Sequence, residues 1–336
     1  MLNIFKNQAF NVVALTDAIN VRPNMFGRLN ELGIFPDRGV RTRTAAIERK
    51  NHVLNLLPTA PVGAPASKGT ASKRDLRSVA IPHIPHEDVI LAEDIQGVRA
   101  FGSESELQSM QELVVDKLDT MTNKHDITLE YLRWGALKGQ VVDSDGTTVL
   151  LNLFTEFGVT QEVESFALTT TTTEVMAKIN ALKRYMELHL FGDTMSGIQV
   201  FCAPDFFDAL ITHASVKAAY QYFRNTQMPL SEDYRNRFIH GGVIFEEQNG
   251  TATDSTGGTQ TFVPAGTAIA IPLGTQTSFR TYWAPADFME TVNTPGLPRY
   301  AKQRILDYDR GIEIHTQSNP LPICLRPQLL VKLTKT

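Results

Sequence analysis

A chain of 336 residues, 42% of them apolar, can bury a sizeable core yet exceeds what one core usually supports, so one domain with insertions or two domains are expected. The net charge of −4 supplies no basic face with which the whole molecule could grip nucleic acid. Nowhere do roughly eighteen apolar residues run together as a membrane helix needs, and the opening Met1 to Gln8 lacks the charged start and apolar run of a signal peptide.

From Asn11 to Gly33 the chain is amphipathic, with Val12, Val13, Leu15, Ile19, Met25, Phe26 and Leu29 apolar and Arg22-Pro23-Asn24 breaking it into two short helical pieces. Val40 to Lys50 alternates like a solvated strand and carries Arg41 and Arg43. Pro58 to Ser78 is rich in Pro, Ala, Gly and Ser, and sets Lys68, Lys73, Arg74 and Arg77 against a single acid, Asp75. It reads as a flexible basic loop. Val79 to Asp88 returns extended, and Pro82 and Pro85 place it at a sheet edge.

The strongest periodicity follows. Leu107, Met110, Val114, Leu118, Met121, His125, Leu129, Leu132 and Ala136 fall at spacings of three and four, which predicts one long amphipathic helix from Ser103 to Lys138. Ser103 and Glu106 have the spacing of a capping box, Gly139 ends the helix, and Asp145-Gly146 between apolar runs marks a hairpin. Beyond it, helix and strand alternate. Thr171 and Glu174 repeat the capping-box spacing ahead of Val175, Ile179, Leu182, Met186 and Leu190, and Gly192 stops that helix. Ile198 to Cys202 reads as a buried strand, Pro204 to Thr212 as a helix, and Phe238 to Glu246 as one strand past Gly241-Gly242. Asn249 to Gln260 reads as an exposed, mobile loop; Phe262 to Leu273, Ser278 to Trp283 and Gly311 to Leu333 return to strand. Cys202 and Cys324 are too few for a disulfide framework and are expected reduced in the core.

Chemical signals are sparse. His83, His86, Glu87 and Asp88 are metal-ligand types, and a metal-dependent hydrolase built on residues 83–88 is the alternative function they allow. At strand spacing, however, His-x-x-His points to opposite faces, and Pro85 forbids a helix that would reunite them. Asp143-Ser144-Asp145-Gly146 begins like a calcium loop, but its twelfth position is Phe154 rather than glutamate. Cys202 closes an apolar strand and is read as inert rather than paired with His213 as nucleophile and base, and the threonines at 169–173 as a loop feeding a helix. No Walker loop, dinucleotide fingerprint, Gly-x-Ser-x-Gly or His-Glu-x-x-His occurs, so no catalytic, cofactor or metal residue is assigned and no enzyme is expected.

Ordering the roughly twenty residues of Pro58 to Ser78 costs about 20–40 kcal/mol of backbone entropy. Offsetting it takes on the order of 1,000 Å² of apolar burial. The loop carries too few large apolar residues for that, so neighbouring molecules must supply the surface.

Three stretches in order carry a resemblance: Arg22-Pro23 with Leu29 and Gly33; Ala136-Leu137-Lys138-Gly139 closing the long helix; and Ser318-Asn319-Pro320-Leu321-Pro322-Ile323 leading through Arg326-Pro327 to Leu330-Val331-Lys332-Leu333. Together they resemble the lambda-type major capsid protein family of tailed double-stranded DNA bacteriophages, also called phage major capsid protein E. The resemblance implies an α+β, HK97-like tailed-phage coat fold: an amino-terminal arm (1–39), an extended loop (40–95), a peripheral domain (96–159) with spine helix 103–138, an axial domain (160–279), and a return to the peripheral domain (280–336). It implies a head protein that self-assembles as hexamers and pentamers into an icosahedral shell. That shell would form in the host cytoplasm with a scaffold, a portal and in some cases a decoration protein, would mature from a procapsid, and would enclose DNA without reading its sequence or touching a membrane. A minor virion protein is the neighbouring alternative. Lys68, Lys73, Arg74, Arg77, Arg41 and Arg43 are the expected intersubunit contacts.

Overall fold

The computed structural model describes residues 27–50, 74–95, 110–224 and 234–336. The chain enters through a one-turn helix α1 (Arg28–Glu31) and a short strand β1 (Asp37–Gly39). Strands β2 (Thr44–Lys50) and β3 (Arg74–Ala80) form an antiparallel ribbon that pairs with no third strand among the described residues. Its alternation has one purpose at the base: Ala45, Ile47 and Val79 turn inward and join the main core. Strand β4 (Ile84–Leu91) then lies along Gly311–Ser318 as the outer strand of a three-stranded sheet, the edge position its prolines predict. A short helix, α2 (Ala92–Ile95), follows.

The long helix α3 is described from Met110 to Lys138; Ser103 to Ser109, and with them the capping box, lie outside the described residues. Val114, Leu118, Met121, His125, Leu129, Leu132 and Ala136 are all buried, as the periodicity requires. From Leu129 to Leu137 every residue is buried, more than one stripe can explain. Here the helix is covered on several sides, with Trp134 stacked on Phe262 at 5.6 Å and edge-on to Phe201 at 4.9 Å. Gly139 (φ +83) ends it because a Cβ there would strike the Phe154 ring. The hairpin β5 (Gln140–Val142) and β6 (Val149–Asn152) turns at Asp145, whose carboxylate accepts from the backbone N–H groups of Thr147 and Thr148. Helix α4 (Leu153–Phe157) and strand β7 (Val163–Ser165) follow.

Helix α5 (Val175–His189) buries Val175, Ile179, Leu182 and Met186, yet the expected Thr171/Glu174 capping box is not made: Glu174 is itself the N-cap residue and its side chain caps nothing. Strand β8 (Gly197–Cys202) and helix α6 (Pro204–Thr212) fall where the sequence puts them, and a further helix that the sequence reading did not assign, α7 (Ala214–Arg224), follows. Phe238 to Glu246 is not one strand. It is a hairpin of β9 (Phe238–His240) and β10 (Val243–Glu247), because Gly241 and Gly242 both adopt positive φ and turn the chain back. The segment expected as a mobile loop is a second hairpin, β11 (Thr251–Thr253) and β12 (Thr259–Thr261), turned by Asp254 and tied to the β5–β6 turn by Ser255 N–H to the Ser144 carbonyl at 2.8 Å. Its polarity reflects turn chemistry, with Asp254 accepting from Thr256 and Gly258.

Strand β13 (Thr267–Leu273) enters the large sheet, β14 (Phe279–Trp283) pairs with β1, and β15 (Tyr300–Ile305) pairs with β16 (Gly311–Ser318). Strands β17 (Pro320–Cys324) and β18 (Val331–Thr334) close the chain. The large sheet has the order β7-β18-β13-β8-β10-β9. The final strand therefore parts company with the rest of the tail: β18 joins β13 and β7, whereas β16 and β17 pack toward α3. Three cores result. One surrounds the carboxyl half of α3, one lies between the large sheet and helices α5 and α6, and a small one joins Ile90, Val114, Leu118, Met121, Ala301, Ile312 and Ile314.

Candidate assembly surface

The residues that might have formed a catalytic centre are pulled apart. His83 Nδ1 meets Asn319 Oδ1 at 2.8 Å, His86 Nε2 accepts from Lys124 Nζ at 3.0 Å, Glu87 meets His315 Nδ1 at 2.7 Å and Asp88 meets Lys117 at 3.1 Å. Four different neighbours serve the four side chains, two of them on α3, so the strand alternation has dispersed the 83–88 cluster. Among the described residues no group of three or more His, Cys, Asp or Glu is placed to hold a metal ion. Cys202 is buried and its thiol is held well above its ordinary pKa by that burial, while His213 instead contacts Ser215 and the Thr170 carbonyl. Burial likewise pushes the Cys324 thiol up to about 12.

Sequence reasoning missed a seam of buried charge. Asp126, Glu130 and Arg133 sit one turn apart on α3 and are at most 3% exposed. Asp126 pairs with the buried Arg299. Glu130 Oε1 accepts from Leu29 N–H at 3.1 Å and from Trp134 Nε1–H at 3.2 Å. Arg133 donates to Asn30 Oδ1 at 3.1 Å and lies 3.7 Å from Asp37. Arg28 Nε donates to Glu246 Oε1 at 2.7 Å, and Gln199 holds the other oxygen at 2.8 Å. Burial pushes the Asp126 and Glu130 carboxyls up and the Arg133 guanidinium down. The hydrogen bond to Glu246 raises Arg28. The segment at 27–39 is thereby tied both to the long helix and to β10 of the large sheet. The signal available in sequence was the second apolar face made by Trp134 and Leu137, which leaves Glu130 and Arg133 no route to water.

His125 offers a pH test. Its Nε2 shares a hydrogen bond with Thr316 Oγ1 at 2.9 Å, and burial, reinforced by His86, Arg299 and His315, lowers its pKa to about 3. The unfolded chain takes up a proton as pH falls through about 6.5, while the folded protein resists until about 3. Stability due to this group is therefore present at neutral pH and lost across that window, by at most about 1.4 kcal/mol per pH unit. Denaturant unfolding of wild type and His125→Gln at pH 7 and pH 5 checks this: wild type should lose more than the variant, and equal losses would remove His125 as the cause.

Of the expected contact residues, Lys68 and Lys73 lie outside the described residues and Arg74 opens β3. Arg77 Nη1 lies 3.8 Å from Glu156 Oε1 of its own subunit. Arg41 and Arg43 are exposed between β1 and β2. Of the four that are described, Arg74 and Arg77 belong to β3 and Arg41 and Arg43 to the loop between β1 and β2.

Among the described residues the ribbon has no third strand and no metal-ligand cluster is assembled, and the likeness to known proteins is to shell components. The model of the family described as phage major capsid protein E matches residues 11–335. The chain belongs to that family. The major capsid protein of Pseudomonas phage KPP10 is 31% identical, covering 96% of this chain and 96% of that one, and the major capsid protein of Salmonella phage Felix O1 is 29% identical over 98% of each. A crystal structure assigned to a capsid protein of an E. coli CFT073 prophage superposes with a TM-score of 0.62, covering 97% of this chain and 99% of that one, at 13% identity. So low an identity speaks for the fold alone, and the fold is the α+β coat fold of tailed phages. Within the capsid protein E family the chain is a structural protein of the virion shell, and the hydrolase reading has no support.

Proposed function

We propose that copies of this chain self-assemble head to tail, as hexamers and pentamers, into the icosahedral head that encloses the phage genome. Residues 1–39 act as the arm, 40–95 as the extended loop, 96–159 with most of 280–336 as the peripheral domain, and 160–279 with β18 as the axial domain. The observation that carries the reading is the β2–β3 ribbon: two strands with no third among the described residues are marginal in water, and Ala45, Ile47 and Val79 at its base are what anchors it in the subunit's own core. A neighbouring subunit supplies the missing surface. Assembly in the host cytoplasm around a scaffold and a portal, maturation from a procapsid, and cementing by a decoration protein extend the same proposal. Negative-stain imaging of concentrated, overexpressed protein tests it. Closed shells, tubes or capsomer sheets are expected; protein that stays monomeric at high concentration would overturn it.

The loop's charge gives a finer test. Arg77 lies beside Glu156 of its own subunit, so the cations to reverse are Lys68, Lys73 and Arg74. Changing all three to Glu should alter the unfolding free energy of unassembled subunits by less than about 0.5 kcal/mol. Particle yield should collapse, because repulsion replaces attraction at every copy of the contact. Normal, salt-resistant particles from the triple variant would show that these cations do not dock.

A further inference from the structure

The sheet β15-β16-β4 carries unlike charge at its two ends. At one end Asp307, Tyr308, Asp309 and Arg310 form the exposed β15–β16 turn, and Ala92 N–H donates to the Arg310 carbonyl at 3.2 Å, which sets Glu93 and Asp94 of α2 beside it. Four carboxylates there outnumber the guanidinium of Arg310, while Arg304, on which Asp307 also acts, is paired with Glu313. Tyr308 is 90% exposed, the most exposed large hydrophobic residue among those described, and Arg310 lies over its ring at 5.5 Å.

At the other end are β1 and the loop that leads from it to β2, with Arg38 of β1 and Arg41 and Arg43 of the loop all exposed. The loop is held firmly: Val40 N–H donates to the Trp283 carbonyl at 2.8 Å, Gly296 N–H to the Val40 carbonyl at 2.9 Å and Ile81 N–H to the Arg43 carbonyl at 3.0 Å. Asp37, the acid of β1, is taken up by Trp283 Nε1–H at 2.9 Å and Arg133. Arg41 and Arg43 have no hydrogen-bonded or ion-paired partner among the described residues, although Arg43 helps to hold the Asp287 carboxyl low. Strands β4 and β16 are eight residues long. The two ends therefore stand about 25 Å apart and cannot meet within one copy.

We propose that the acidic, tyrosine-tipped turn of one copy docks on the arginine loop at 38–43 of a second copy. The inference rests on the shell reading above and names one of its contacts. Two unlike patches at opposite ends of one rigid sheet make a heterologous contact, which repeats around a closed ring rather than stopping at a dimer. The turn's carboxylates complement the guanidinium groups of Arg41 and Arg43, which stand on a firmly held backbone and have no ion pair among the described residues, and Tyr308 supplies a flat face on which an arginine can stack.

A charge exchange tests the contact in full-length protein. Asp307→Lys with Asp309→Lys, and separately Arg41→Glu with Arg43→Glu, should each lower the yield of sedimenting particles about tenfold or more, with thermal unfolding of unassembled subunits unchanged. Combining all four should restore yield to within about threefold of wild type, because the attraction is re-formed with its sign reversed. Normal yield from either pair, or loss without rescue in the combination, would overturn the contact. Wild type that forms no particles would instead defeat the shell reading itself.

Discussion

Leu118→Asp should give insoluble protein and no particles. Leu118 is 4% exposed and lies in the small core that joins α3 to β4, β15 and β16 through Ile90, Met121, Ala301, Ile312 and Ile314. A carboxylate placed there finds no cation among those neighbours, so it costs several kcal/mol, a large part of the roughly 5–15 kcal/mol by which a domain is stable. This core is the smallest of the three, and the polar ties of Lys117 to Asp88, Lys124 to His86 and His125 to Thr316 flank it. Leu118→Met is the control, and should cost less than about 1.5 kcal/mol. The readout is the soluble fraction after expression, then sedimentation. Normal assembly of the aspartate variant would mean that the helix does not pack where it is seen here.

The second large effect is expected at the buried pair of Arg299 and Asp126. Asp126 is 1% exposed, burial already pushes its carboxyl up, and its Oδ2 has no hydrogen-bond partner among the described residues. Arg299→Met removes the guanidinium and leaves that carboxylate in the core, which should cost about 3–5 kcal/mol. Joining it to Asp126→Leu should recover most of the loss, since apolar residues of similar volume commonly replace a buried pair at little cost. Denaturant midpoints of the single and double variants decide the matter. A loss below about 1 kcal/mol for Arg299→Met alone would mean that Arg133, which also acts on Asp126, is sufficient.

Periodicity made the long helix legible because Leu118, Met121, Leu129 and Leu132 answer to a single rule, burial of one face. Pro82 and Pro85 placed β4 at an edge for an equally local reason, the missing donor. The errors share a different origin. Gly241-Gly242 and Asp254 to Gly258 are turn signals inside segments read as a strand and a loop, and a turn becomes a hairpin only if the flanking residues find each other. Whether Thr171 or Glu174 caps α5 depends on where the first turn begins, which spacing does not fix. The charged seam is missed when only the main apolar stripe is followed, because Asp126, Glu130 and Arg133 then look solvated; the second face of Trp134 and Leu137 hints at it, and the arrival of residues 28–37 and of Arg299 encloses it. The intersubunit contacts are a different matter. Complementarity between copies is not written in one copy's periodicity.

The order in which the chain is made bears on when these surfaces exist. Arg28 waits for a partner 218 residues later, Asp37 for one 246 residues later, and Glu87 for one 228 residues later. At about 5–20 residues per second, synthesis of such a stretch takes on the order of 10–50 s. Until Trp283 and His315 have left the ribosome, neither the arginine loop nor β4 has its own subunit's support, so a nascent chain offers no finished contact to its neighbours. On a polysome crowded with identical copies, this long-range wiring acts as a timer: polymerisation must follow release of the finished chain.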